Sequence, residues 1–194
     1  PALLDSMVPR EFQNFFIAVD RSTGQAASKY WPGLAVALAP FVALDVGWLL
    51  NPAFGALSLA LIYKLASEAG GNEIAGAWAV LAALASPQFT INSISFYAMP
   101  GELALNLLFL WLVVKQGIRS AFLAGAAGGM ALSMHNPAPH VLMAAPCLLW
   151  LAWDRTRWFR LAAVLISYLP FALFFGMLWV RLISSLQSTS TPMT

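Results

Sequence analysis

From Gly33 to Ile183 the chain is a succession of apolar runs whose charges are confined to run ends and short connections. A globular domain needs a charged surface, typically about a quarter of its residues. Here 9% of residues are charged and 60% are apolar, with a mean hydropathy of +0.75. That balance defines a polytopic membrane protein and predicts an all-α helix bundle. The net charge of +2, spread over short loops rather than gathered in a block, argues against a nucleic-acid partner. Cys147 stands alone in an apolar run, where it reads as a small buried side chain.

Six runs read as spans: Trp48 to Ala66, Ile74 to Ile91, Met99 to Val114, Ile118 to Met134, Ala138 to Trp153 and Arg160 to Ile183. Several fall short of the roughly 20 residues that cross a bilayer, a deficit that thinning and tilt accommodate. The 12-residue run Gly33 to Leu44 predicts a re-entrant or interfacial helix instead. With six spans and the amino-terminal stretch outside, Lys64, Lys115, Arg119, Arg155, Arg157 and Arg160 all face the cytoplasm, six of the ten basic residues. Counting Gly33 to Leu44 as a span would move all six outside. The expected organisation is an extracytoplasmic loop over 1–31, a re-entrant or interfacial segment over 32–47, a transmembrane bundle over 48–183, and the start of an external loop over 184–194. Residues 1–31 are polar and show no signal peptide, so the chain reads as a fragment of a longer inner-membrane protein.

This topology gathers the unusual polar residues on the outer face. Lys29, followed by Tyr30-Trp31-Pro32-Gly33, stands where an ammonium could meet a lipid phosphate while the lipid tail stays in hydrocarbon; a snorkelling anchor is the alternative. Glu102 follows Met99-Pro100-Gly101 and reads either as a helix-dipole partner or as a site residue. In His135-Asn136-Pro137-Ala138-Pro139-His140 the two prolines predict a turn that carries both histidines. Those histidines serve either a pocket or interfacial hydrogen bonds, and a metal site would need ligands that are not near in sequence. Asp45 and Asn51 read as turn and cap residues. Gly125-Ala126-Ala127-Gly128-Gly129 reads as a close helix contact, and Trp31, Trp48, Trp150, Trp153 and Trp158 as interfacial belts.

Ser28-Lys29-Tyr30-Trp31-Pro32-Gly33, then Trp48-Leu49-Leu50-Asn51-Pro52 and Ile62-Tyr63-Lys64, resembles the bacterial polyprenyl-phosphate-dependent glycosyltransferases of the dolichyl-phosphate-mannose mannosyltransferase type, within the glycosyltransferase C superfamily. The resemblance continues through Ala85-Ser86-Pro87-Gln88-Phe89, Ser95-Phe96-Tyr97-Ala98-Met99-Pro100 and Met134-His135-Asn136-Pro137, and so covers about Ser28 to Pro146. It implies that Lys29 contacts the phosphate of a lipid-linked sugar donor, with Tyr30, Glu102, His135, Asn136 and His140 as further substrate-binding candidates. Trp31 stands where the family has a first proline, Met99 where histidine is common, and Asn136 where arginine is common. The family's catalytic base is an aspartate of an Asp-Glu pair upstream of the lysine. No such pair exists here, so the base is expected before Pro1 and the fragment alone is expected to be inactive.

By resemblance, the expected activity is transfer of a sugar, with inversion, from a polyprenyl-phosphate donor to a glycan, lipid or protein acceptor at the extracytoplasmic face. No cofactor is read from the sequence, and a divalent cation is left open. Two rival classes remain. A transporter would place ionisable groups or broken helices near the midplane, whereas a non-catalytic membrane subunit would need only apolar faces and packing glycines.

Overall fold

The computed structural model describes residues 17–20, 25–28 and 30–189, with side chains from Tyr30 to Ser185. Lys29 lies outside the described residues. Among the described residues the regular structure is helical save for one antiparallel strand pair, β1 (Ile17–Asp20) and β2 (Gln25–Ser28), paired from Ile17 with Ser28 to Asp20 with Gln25. This pair falls in the stretch expected to be loop.

Helix α1 (Gly33–Ala43) ends in a reversal that its own backbone completes. Val46 N–H donates to Phe41 O and Asp45 N–H to Val42 O, while Asp45 takes a left-handed φ of 59°. This is the Schellman arrangement, with aspartate at the position glycine usually fills. At 11 residues, α1 is about 16 Å long, roughly half a hydrocarbon core. A 3-10 turn (Gly47–Leu49) leads into α2 (Leu50–Gly70).

Helices α3 (Glu73–Leu84) and α4 (Pro87–Ser93) follow. The expected single span from Ile74 to Ile91 is broken between them by 75°. Ser86 and Pro87 explain the break: the serine hydroxyl accepts from Phe89 N, capping a new helix, and proline starts it. Next come α5 (Met99–Val114), α6 (Ile118–Met134) and α7 (Pro137–Trp153), of 16, 17 and 17 residues. The last long helix runs from a 3-10 turn (Arg155–Arg157) through α8 (Trp158–Phe171), a π-helical stretch (Ala172–Leu178) and α9 (Trp179–Thr189).

Gly47–Gly70 and Arg155–Ser185, of 24 and 31 residues, are long and apolar enough to cross a membrane, and the bent α3–α4 pair would make a third crossing. The six expected spans therefore reduce to two or three on length. Sixteen or seventeen residues reach only about 24–26 Å, short of the roughly 30 Å of a hydrocarbon core. Exposed Ile74, Trp78, Leu142 and Phe159 present apolar surface outward, as lipid contact requires.

The core joins Phe109, Leu112 and Val113 of α5 to Ala121, Ala124 and Ala127 of α6, with Leu151 of α7 and Val164 of α8. Small residues on α6 set its spacing. A Cβ on Gly125 would stand 2.1 Å from Val164 O and from Ser167 Oγ, so only glycine permits this approach of α8.

The Pro137–Pro139 segment corrects the expected turn. Asn136 caps α7 by accepting from Ala138 N at 3.0 Å, and Pro137 occupies the first helical position. The first N–H groups of a helix have no internal partner, so both prolines fit its first turn. His140 is thereby helical and points into the bundle, while His135 stays in the turn.

Candidate aromatic cavity at the amino-terminal end of α5

Three segments distant in sequence meet at one end of the bundle: Tyr30-Trp31-Pro32 before α1, Phe96-Tyr97-Ala98-Met99 entering α5, and Met134-His135 leaving α6. With Leu34, Ala35 and Trp179 they line a cavity of about 450 Å³, within the usual range for small-ligand sites. Each wall is pinned. A Cβ on Gly33 would lie 2.5 Å from Ser133 O, so glycine lets the Tyr-Trp-Pro turn sit directly on the end of α6. Buried Asn51, expected as a cap, instead donates its side-chain amide to the carbonyls of Ser95 and Tyr97, the latter at 2.8 Å. That tether fixes the second wall to α2. Trp179 Nε1 donates to Tyr30 O at 3.1 Å and closes the third side.

Inside the cavity the rings of Tyr30 and His135 stack with centroids 6.2 Å apart and planes 26° from parallel. An imidazole held over a phenol face presents its edge nitrogens to the space beside it. The lining is otherwise aromatic and apolar, so a ligand would meet flat hydrophobic surface with polarity concentrated at His135 and the tyrosines. Beneath it Leu105, Ala131 and Met134 pack with Leu34, Ala37 and Phe54, giving the floor a rigid base.

The remaining site candidates separate. Lys29 precedes Tyr30 in sequence but falls outside the described residues. Asn136 is exposed and serves as the α7 cap. Glu102 is 6% exposed in the first turn of α5, beyond the cavity lining, and its Oε1 has no hydrogen-bond partner among the described residues. His140 is fully buried between Phe109 and Tyr168, with ring centroids at 5.5 and 5.7 Å. Its Nδ1 lies 2.6 Å from Asn106 Oδ1; an amide oxygen only accepts, so Nδ1 carries the proton. Asn106 follows Glu102 by one helical turn, which places both on one face of α5.

Trp179 is the cavity residue that the sequence reading missed. It lies 149 residues from Tyr30, inside an apolar run with no local mark of a site. The π-helical stretch before it adds residues to the turn and so changes which side chains face Tyr30. No group of three or more His, Cys, Asp or Glu side chains converges among the described residues. No family model matches the chain, and no curated protein or solved structure is significantly similar to it.

Proposed function

We propose that this chain is part of a membrane glycosyltransferase that moves a sugar from a polyprenyl-phosphate donor to an acceptor at the extracytoplasmic face, using six spans and the outer aromatic cavity. One observation carries the reading: the Tyr30-Trp31-Pro32, Phe96–Met99 and Met134-His135 segments, which together resemble glycosyltransferase C motifs, line one cavity. In this reaction the acceptor hydroxyl attacks the anomeric carbon and loses its proton to a carboxylate base. The bond from that carbon to the phosphate oxygen breaks, and the lipid phosphate leaves with inversion at carbon. Lys29, which precedes the cavity residue Tyr30 in sequence, neutralises the charge that develops on the phosphate. The base comes from outside the described cavity lining, which holds no carboxylate. In the six-span arrangement the 16- and 17-residue helices cross with local thinning of the bilayer.

The test is transfer of labelled sugar from a polyprenyl-phosphate donor by membranes carrying the full-length protein. Lys29→Ala should lower transfer by about 100-fold, the size of one oxyanion-stabilising group, and Ala98→Trp should block the cavity. Normal transfer by both variants at equal expression would end the proposal.

A transporter is favoured by one specific observation. Glu102 and His140 are buried within the bundle, His140 against half-buried Asn106, and ionisable residues in such positions commonly mark transport paths. Uptake of a solute into proteoliposomes, lost in Glu102→Gln, would select this reading; transfer unaffected by Glu102→Gln would select the first.

A further inference from the structure

At the opposite end of the bundle the turn between α7 and α8 forms an open recess of about 750 Å³ lined by Leu149, Trp150, Trp153, Asp154, Arg155 and Arg157. We propose that this recess binds the phosphodiester headgroup of an anionic phospholipid, with the acyl chains lying along the exposed Leu149–Trp153 side of α7. The proposal rests on the chain's membrane embedding and not on the glycosyltransferase reading.

Charge and shape carry it together. Two guanidiniums against one carboxylate leave one positive charge in the recess, which matches the single negative charge of a phosphodiester. Asp154 is already engaged: Thr156 N–H donates to its Oδ1 at 3.0 Å, and its Oδ2 lies 3.4 Å from Arg157 Nε. Hydrogen bonding from the Thr156 backbone and side chain first, and the Arg157 charge after it, hold the carboxyl below its usual range. Asp154 therefore remains a fixed anion that positions Arg157, and Arg155 is the cation left over. Arg157 is also clamped 4.1 Å over the Trp150 ring, and Arg155 lies 5.7 Å from the Trp158 ring. Arg157 Nη1 also donates to Trp150 O at 3.4 Å, and guanidiniums held in place beside rings lose little freedom on binding phosphate.

The apolar side identifies the source of the phosphate. Trp153 is 92% exposed and Leu149 67% exposed. A tryptophan left bare at a helix end beside arginines fits the headgroup boundary, with its ring toward lipid. A free anion would use only the arginines; a phospholipid uses both surfaces. Basic pockets between helices on the cytoplasmic side suit anionic headgroups in this way.

Native mass spectrometry of the full chain in detergent, titrated with phosphatidylglycerol and separately with phosphatidylcholine, tests the assignment. Phosphatidylglycerol should bind more tightly, and Arg155→Gln should reduce that preference by about fivefold, the effect of one basic residue near the membrane surface. This variant leaves the Asp154–Arg157 pair and the Arg157–Trp150 contact intact, so the turn should stay folded, as circular dichroism would show. Trp153→Ala should weaken both lipids. Arg119→Gln, a basic residue outside the recess, should leave the preference unchanged. Equal loss in Arg119→Gln would reduce the effect to overall charge and overturn the site. Displacement of bound phosphatidylglycerol by millimolar inorganic phosphate would assign the recess to a free anion and overturn the lipid.

Discussion

The two ends of the bundle handle polarity in opposite ways. At the basic end almost every cation is satisfied from within. Lys115 pairs with Glu68 at 2.7 Å, Lys64 and Lys115 lie over Trp111, and Arg160 donates to the carbonyls of Val113 and Lys115. At the other end, backbone carbonyls are tied by Asn51 and Trp179, the rings of Tyr30 and His135 stack, and a concave space remains between the walls. The contrast follows from the side chains that each end places beside its helix termini. Cations at the basic end reach the last carbonyls of nearby helices, Arg160 at the end of α5 and Arg157 at Trp150 of α7, where they complement the helix dipole. The aromatic end brings together the bulky rings of the Tyr30-Trp31-Pro32, Phe96–Met99 and Met134-His135 segments and of Trp179, which leave a cavity between them.

The largest expected effect breaks or confirms the assignment of the two ends to opposite faces of a membrane. In a Cys147→Ala background, cysteines placed at Gly70 and Arg155 should resist a membrane-impermeant thiol reagent in intact cells, and one at Pro139 should react fully. Labelling at Gly70 or Arg155 would mean that the basic end does not face inward.

Next in size is His140→Ala, which probes the bundle between the ends. The change opens a space beside Phe109 and Tyr168 and leaves Asn106 Oδ1 unpartnered. Stability should fall by about 2–3 kcal/mol, measured as melting of the detergent-solubilised protein, while activity per folded molecule stays near normal. A large activity loss without destabilisation would bring His140 into the functional site.

His135→Ala should show the reverse pattern. It removes one ring of the Tyr30 pair, so stability should change by only about 1 kcal/mol, whereas ligand binding or transfer should drop by more than the stability change accounts for. Unaltered function would make the stack a purely structural contact. The smallest effect belongs to the basic end: Glu68→Gln removes an exposed ion pair with Lys115, and the melting temperature should not move measurably. A clear drop would show that the pair is more than a surface contact.

Much of this contrast was legible in the chain. The positions of Lys64, Lys115, Arg119, Arg155, Arg157 and Arg160 at run ends predicted one basic end, and contacts with Glu68, Trp111, Trp150 and neighbouring carbonyls draw together all but Arg119 and Arg155 there. The α6 glycines were legible as a packing face for a similar reason, since glycine in a membrane-type helix leaves few other uses. The histidine pair was misread because proline was weighed as a helix breaker without its position being considered. Only the N-cap bond of Asn136 shows that Pro137 and Pro139 begin a helix and send His135 and His140 in different directions.

Composition and spacing by themselves determined that the apolar runs are helical, that they are built for hydrocarbon, and which run ends carry charge, because these follow from how many polar groups a segment exposes along its own length. Two things were decided only by the tertiary structure: the tether from Asn51 to the carbonyls of Ser95 and Tyr97, and the closure of the cavity by Trp179. Each depends on which groups from distant segments come within hydrogen-bond or ring-contact range. That proximity is set by helix packing at glycine contacts such as Gly33 on Ser133 and Gly125 on Val164, and no local pattern encodes it.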